Sequence, residues 1–394
     1  MLSDAVVTEQ DAVLERHPEL YFSDGDIVLA AKFSSSNSTA SSPPKYQLYR
    51  VHKPFLSHNS PVFANLFGDA APGELYDDVP LVEMIGDTAE ALASLLTFIY
   101  NISEIKIARW DPNTPIAVSP TVRIADKYLV DGLHKYLVQK VQDDWPLTLE
   151  DWDRREAEIE AMRRAKDISG APSPSQSLSP STSQPPSLAH AVPEPASAIR
   201  FALEFGCPSI LPAAFYQLAR THVMKDWDSP HSFVARTDLP ARWTLLYSAE
   251  LMRLLRGQTR MSEDGAASLS TDETFSAILQ PGCLPWWENT AFPWFVRREV
   301  EESDGREDSE AYPCYALLVR LFAAVFREAA PGVRDPLKAL KECVDYERAF
   351  PESGTAKRLC TGCDERFKEW IPGARRELWR KLPVYFEVPS SSSQ

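Results

Sequence analysis

The first half of the chain mixes strand-like and helical patterns of apolar residues. Residues 26–32 and 46–52 are rich in β-branched and aromatic side chains, and they flank a Ser-rich polar insertion at residues 33–44. Two such runs predict a β-hairpin with a long loop. Residues 89–99 carry apolar side chains at helical spacing, and Asp87 is the expected N-cap of that helix. The pattern predicts an α+β domain in which helices flank a small sheet.

The second half has a helical pattern throughout, without strand alternation of useful length. Gly206 follows an apolar stretch at residues 198–205 and fits a left-handed C-cap. Gly257 is expected to end a helix over residues 245–255, and the acidic, Ser- and Gly-rich residues 261–271 are expected to form a surface loop. The pattern therefore predicts a mostly α-helical domain.

Composition changes sharply between the two halves. Residues 171–195 consist largely of Ser and Pro, with nothing apolar at a helical or strand period. Such a segment buries too little apolar surface to offset the entropy of ordering it, which is typical of a linker. We therefore predict five parts: an N-terminal tail (1–19), the α+β domain with trailing helices (20–165), a disordered linker (166–196), the α-helical domain (197–386) and a disordered tail (387–394).

Charge and composition limit the classes of function. The 41 Lys and Arg residues are outnumbered by 56 Asp and Glu residues, which gives a net charge of −15. Nucleic acid is not an expected partner, because phosphate binding needs clustered Lys and Arg. No apolar run has the length of a membrane span, and residues 1–11 lack the apolar core of a secretory signal. We predict an intracellular protein with reduced thiols, and cytoplasm and nucleus are equally open.

Five short motifs follow one another in the first half. They are residues 26–29 (DIVL), 49–56 (YRVHKPFL), 60–67 (SPVFANLF), 91–100 (ALASLLTFIY) and 125–133 (ADKYLVDGL). The third begins with a Ser–Pro pair, a favourable helix start. In this order and spacing the motifs resemble a BTB/POZ domain over residues 20–145. The resemblance implies a small sheet wrapped by helices and a role in protein–protein interaction.

Two further fragments lie in the helical half. Residues 211–216 (LPAAFY) and 378–383 (LWRKLP) resemble a group of fungal BTB proteins, especially from basidiomycetes, that carry a helical C-terminal region. This resemblance brings no known activity with it.

The BTB resemblance implies candidate contact residues. Asp26 and Lys53 stand where many members keep an acid and a base near a shared pocket, and such a pair either stabilises the fold or contacts a partner. Many members form homodimers, and residues 8–16 are a candidate for the short helix used there. Some members bring substrates to cullin ubiquitin ligases through a hydrophobic-x-acid motif, and Leu75 and Asp77 have that spacing.

Cys360 and Cys363 form the sharpest chemical motif of the chain. A tetrahedral zinc site needs four ligands, and only Cys343 lies near this pair in the sequence. We interpret the pair as packed thiols and expect no metal and no cofactor. The sequence contains no G-x-S-x-G nucleophile elbow and no Gly-rich phosphate loop, so no catalytic residues are assigned.

Together these observations predict a non-enzymatic scaffold or adaptor that binds other proteins through a BTB domain. The bound protein is either a second copy of the chain or a different partner. Two alternatives stay open. One is a substrate adaptor of a cullin-type ubiquitin ligase, and the other is an uncharacterised enzyme activity in the helical half.

Overall fold

The computed structural model describes residues 13–34, 44–69, 74–101, 106–170, 187–228, 238–269, 272–284, 312–326, 335–346 and 358–389. The chain divides into two compact units, Met1–Asp144 and Trp145–Gln394. None of the helices in these ranges is long and apolar enough to cross a membrane.

The first unit is built on a five-stranded sheet with the order β1-β3-β2-β5-β4. The strands are β1 (Val13–Tyr21), β2 (Ile27–Lys32), β3 (Lys45–Val51), β4 (Leu75–Tyr76) and β5 (Val79–Thr88). Strands β2 and β3 pair antiparallel, which confirms the predicted hairpin, although residues 35–43 of its loop lie outside the described residues. Strand β1 runs parallel to β3, and β5 runs parallel to β2.

The central strand β2 is buried on both faces. On one face, Val28 and Ala30 pack with Leu48 in a small cluster bordered by tyrosines from other strands. On the other face, Leu29 pairs with Tyr49, whose hydroxyl donates to the carbonyl of Ala89. Successive side chains of a strand point to opposite faces, so both faces of β2 need cover. The other strands of the curled sheet enclose one face, and helices cover the other.

The helices of the first unit are α1 (Lys53–Asn59), α2 (Pro61–Asp69), α3 (Ala89–Asn101), α4 (Thr114–Lys127) and α5 (Asp131–Gln142). The predicted helix start at the Ser–Pro pair is confirmed, because Ser60 Oγ accepts from the N–H of Phe63. Helix α3 is capped by Thr88 and not by Asp87 as expected. The Asp87 carboxylate instead binds the Lys127 ammonium and the Tyr128 hydroxyl, so it anchors the end of α4.

The second unit is mostly helical, as predicted. Within its described residues the α-helices are α6 (Leu149–Gly170), α7 (Pro195–Glu204), α8 (Leu211–Ala219), α9 (Ser248–Leu269), α10 (Asp272–Ile278), α11 (Pro313–Phe326), α12 (Pro336–Glu342) and α13 (Thr361–Tyr385). Gly206, with φ of +68°, follows α7 in the left-handed conformation expected of a C-cap.

Gly257 does not end a helix, because α9 passes through it and continues to Leu269. A Cβ atom at position 257 would lie 2.1 Å from Cδ1 of Phe386. The glycine therefore allows the Phe386 ring to approach the helix closely. The surface loop expected from residue 261 is part of α9 as far as Leu269.

The predicted boundaries also differ from the structure at three places. Strand β1 begins at Val13, within the segments expected to form a tail and a short helix. Helix α6 belongs to the second unit, whereas it was expected to trail the first. Residues 171–186 of the predicted linker lie outside the described residues, but Leu188–Ala191 form a 3₁₀ helix in which Leu188 is fully buried.

Candidate functional site

Asp26 and Lys53 meet through the backbone of Lys53. Oδ1 of Asp26 accepts a hydrogen bond from the Lys53 N–H over 2.8 Å. Lys53 is the first residue of α1, where the N–H has no partner within the helix. Asp26 is exposed, and among the described residues its carboxylate forms no ion pair with the Lys53 ammonium. The geometry is that of a helix cap and not of the acid and base at a shared pocket that the BTB resemblance implied.

Leu75 and Asp77 lie on a tight hairpin. Tyr76 pairs with Val79 across β4 and β5, and the two residues between them, Asp77 and Asp78, have φ of +49° and +63°. Two left-handed residues are typical of a type I′ turn, and Asp is tolerated there because its short polar side chain relieves the conformation. Leu75 is 70% exposed, so the hairpin presents an apolar side chain to the surface.

The Asp77 carboxylate binds two side chains of β1. Its Oδ2 accepts from Arg16 Nη2 and from the Tyr21 hydroxyl, both over 2.6 Å. Burial and the hydrogen bond to Asp77 raise the pKa of Tyr21 to about 12. The acid of the expected cullin-contact motif is therefore already used within the domain.

A surface aromatic cluster, which the sequence analysis did not single out, consists of Phe22, His52, Phe55 and Tyr100. The Tyr100 ring stacks on both Phe22 and Phe55, with centroid distances of 4.8 and 5.3 Å. The Tyr100 hydroxyl lies 3.0 Å from His52 Nδ1 and accepts from the His52 N–H over 2.8 Å. Phe55 is 52% exposed. These contacts hold an exposed ring in a fixed position on the surface of the first unit.

His52 connects this cluster to a charged residue. Its Nε2 lies 3.4 Å from Oδ2 of the exposed Asp24. Both His52 and Phe55 belong to the motif at residues 49–56, so the signal for the cluster was present in the sequence. What the sequence could not reveal is that Tyr100, at the end of α3, lies beside them.

The second unit contains a mostly buried polar network around Arg220. Its guanidinium binds Glu156 of α6, and Nη1 lies 2.6 Å from Oδ2 of Asp335. The Tyr216 hydroxyl donates to Oδ1 of Asp335 over 2.7 Å. Burial alone would raise the pKa of Asp335, but Arg220, Tyr216 and the N–H of Lys338 together lower it below its usual range.

A second charge pair ties α6 to α13. Arg375 donates to both carboxylate oxygens of Asp153, over 2.8 and 2.9 Å. A third donor, Nε of the same guanidinium, binds the carbonyl of Leu337. Bidentate geometry of this kind fixes orientation as well as charge, and it indicates a structural role.

A small cleft beside α7 has the buried Glu194 in its wall. Its volume is about 10 Å³, room for about one water molecule. The Glu194 carboxylate caps α7 by accepting from the N–H groups of Ala196 and Ser197, and it also accepts from the N–H of Arg242. This carboxylate therefore serves helix capping and has little room for a substrate beside it.

Four cysteines of the second unit come together: Cys283, Cys314, Cys360 and Cys363. Cys343, the candidate nearest in sequence, is buried and does not belong to this cysteine cluster. The Cys363 backbone and the neighbouring thiols lower the pKa of Cys360 to about 7, whereas burial raises that of Cys363 to about 11. Sulfur ligands in this number are the kind of set that holds a metal ion.

Comparison with known proteins assigns the first unit. Residues 45–144 match the BTB/POZ domain family, about a quarter of the chain. No curated protein matches the sequence. The matched segment runs from β3 through α5, and β1 and β2 complete the same sheet. The chain thus carries a BTB domain followed by a mostly helical region, and BTB domains are generally protein–protein interaction modules.

Proposed function

We propose that this chain is a non-enzymatic scaffold or adaptor that binds other proteins, a second copy included, through the surface aromatic cluster of its BTB domain. The observation that carries the proposal is the half-exposed ring of Phe55, held against Tyr100 within the segment that matches the family.

The cluster has the properties of an interface centre. Aromatic side chains are enriched at the centres of protein interfaces, where they supply large contact area with few rotatable bonds. Stacking on Tyr100 already limits the motion of Phe55, so binding costs less side-chain entropy. His52 and Asp24 add polar groups at the edge of the same surface.

The experiment replaces Phe55 with a photo-crosslinking phenylalanine analogue in the full-length chain. We expect crosslinks from position 55 to a defined partner or to a second copy. The matched control places the same analogue at Ile116, which is 45% exposed in the same domain but lies outside the cluster. Equal crosslinking from both positions would contradict the proposal.

Self-association is tested separately by sedimentation velocity over a range of concentrations. If the cluster forms the contact, Phe55→Ser weakens self-association by about tenfold or more, as loss of a central aromatic does. Ile116→Ser is expected to behave as the unmodified chain. A chain that stays monomeric at all concentrations would eliminate self-association, and the cluster would then bind only other proteins.

A cullin-adaptor role is the second candidate, favoured by Leu75, which is 70% exposed and lies two residues before Asp77. In binding assays with a purified cullin amino-terminal domain, Leu75→Ala should reduce affinity. Ile85→Ala, at an 81% exposed position of β5, serves as the control. No measurable binding, or equal binding by both variants, would eliminate this role.

An uncharacterised enzyme activity in the helical unit stays an alternative. The Glu194 cleft does not support it, because that cleft has room for about one water molecule and its carboxylate serves as a helix cap. The fungal resemblance of residues 211–216 and 378–383 stays a prediction, as do the intracellular location and the exclusion of nucleic acid.

A further inference from the structure

The sulfur atoms of the cysteine cluster are spaced as ligands of one metal ion. The four Sγ atoms of Cys283, Cys314, Cys360 and Cys363 all lie within 4.8 Å of one another. The Sγ atoms of Cys283 and Cys360 are 3.8 Å apart. In a tetrahedral zinc site with Zn–S bonds of about 2.3 Å, two ligand sulfurs are separated by about 3.8 Å. The spacing therefore matches a single tetrahedral ion.

The ligand atoms come from three well-separated parts of the second unit. Cys283 ends the 3₁₀ helix Pro281–Cys283, and Cys314 is the second residue of α11. Cys360 is the N-cap of α13, and Cys363 lies in its first turn. Both helices thus direct their amino-terminal ends, which favour negative charge, toward the sulfur atoms.

Backbone N–H groups donate to the sulfur atoms of the cluster. Gln280 N–H donates to Cys363 Sγ over 3.2 Å, and Cys360 N–H donates to Cys314 Sγ over 3.3 Å. Gly362 leaves space for the Gln280 side chain, since a Cβ there would lie 1.8 Å from Nε2 of Gln280. Donors around the ligands stabilise thiolate charge and fix ligand orientation in metal sites.

We propose that Cys283, Cys314, Cys360 and Cys363 bind one Zn²⁺ ion in a structural site. Binding forms four Zn–S bonds and releases the four thiol protons to solvent, with no change of oxidation state. Four protein ligands leave no open position for a substrate, which is typical of structural rather than catalytic zinc. The soft sulfur set disfavours Mg²⁺ and Ca²⁺, which take oxygen ligands.

The ion joins the starts of α11 and α13 to the residues that follow α10. These parts are far apart in the chain, since 77 positions separate Cys283 from Cys360. Binding energy at such a site is realised only when the unit is folded, so the metal stabilises the folded state. The other two cysteines, Cys207 and Cys343, are buried outside the cluster, so their substitution provides a control for the metal-binding variants.

The test measures the metal content of the full-length protein, purified under reducing conditions with Zn²⁺ present and then dialysed. Elemental mass spectrometry should give about one zinc per chain. Cys360→Ser should lower the zinc content at least about tenfold, because serine is a poor zinc ligand. Cys360 is exposed, so this substitution disturbs little packing. Cys207→Ser, at a buried thiol outside the cluster, should retain the metal.

Two further measurements separate a bound ion from packed thiols. Cobalt added to the metal-free protein should give the visible absorption of a tetrahedral tetrathiolate site, and Cys363→Ser should abolish it. A zinc chelator should lower the melting temperature of the full chain and leave that of Cys360→Ser unchanged. Zinc-free protein, bound iron instead of zinc, a Cys283–Cys360 disulfide in the purified chain, or equal zinc in Cys360→Ser would each overturn the proposal.

Discussion

Tyr21 donates its hydroxyl hydrogen to Oδ2 of Asp77 over 2.6 Å, and the two residues belong to opposite ends of the strand order. Tyr21 ends β1, one edge of the sheet, whereas Asp77 follows β4, the other edge. The bond therefore closes the curl of the sheet around its small core. Unpaired sheet edges invite pairing with other chains, and a closed curl reduces that exposure.

Replacing Asp77 tests this closure. Asp77→Ala removes the acceptor for Tyr21 and Arg16 and places alanine at φ of +49°, so we expect the BTB unit to lose about 2 kcal/mol. Asp77→Asn keeps an oxygen acceptor and tolerates the turn, and its cost should stay below about 1 kcal/mol. The hydrogen-exchange rate of the peptide that covers β1 is measured in both variants, and it should rise more in Asp77→Ala than in Asp77→Asn. Equal exchange in the two variants would argue against the closure.

Asp26 and Lys53 give a second prediction. Because the Lys53 backbone makes the contact, Asp26→Ala should lower the free energy of unfolding by about 1 kcal/mol. Lys53→Ala should change it by less than about 0.5 kcal/mol. Urea unfolding of the full-length chain measures both variants. If instead Lys53→Ala is as damaging as Asp26→Ala, a charge pair and not a helix cap is the stabilising interaction.

Asp335 makes the helical unit sensitive to acid. The pKa of Asp335 is lowered in the folded state. Its contribution to stability is therefore fully present at pH values above the pKa of aspartate in the unfolded chain, which is about 4. That contribution is lost as the pH falls further, through the folded-state pKa. Asp335→Asn should cost about 3 kcal/mol at neutral pH, since Arg220 loses one carboxylate.

The same variant should then depend less on pH below about 5, because the titrating group is gone. Far-ultraviolet circular dichroism in urea at a series of pH values measures both effects. A variant whose stability falls with acid as steeply as that of the unmodified chain would show that other carboxylates dominate.

Gly257 and Gly373 form a matched pair of helical glycines. Gly257→Ala places a methyl group against the Phe386 ring, and we expect a loss of about 2–3 kcal/mol. Gly373→Ala meets no atom within 4 Å and should stabilise α13 by up to about 1 kcal/mol. Melting temperatures of the two variants should move in opposite directions. Adding Phe386→Leu to Gly257→Ala should recover part of the loss.

Local patterns predicted the parts of the fold that neighbouring residues determine. The hairpin of β2 and β3 and the helix start at Ser60 follow from periodicity and capping chemistry within a few residues. The same reasoning selected Asp87 as a cap, because its side chain has the right chemistry. It missed that Lys127 and Tyr128, about 40 residues away, bind that carboxylate in the folded domain.

Contacts between distant segments account for the other differences. Gly257 looks like a helix end until Phe386 is placed against it, and the motif of Cys360 and Cys363 looks incomplete until Cys283 and Cys314 reach it. No local spacing encodes either contact. Both arise when α13 packs in the second unit, and a sequence reading that stops at nearest neighbours cannot foresee them.

The pairing of Asp153 with Arg375 determines where the helical unit can be cut from the chain. Both residues belong to the second unit, and α6 carries Asp153 and Glu156 ahead of the Ser/Pro segment. An expression fragment that starts within that segment would leave Arg375 without its carboxylate and Arg220 with one carboxylate fewer. Stranded buried cations of this kind are costly. A fragment that keeps helix α6 whole, and with it both carboxylates, has to begin before residue 149.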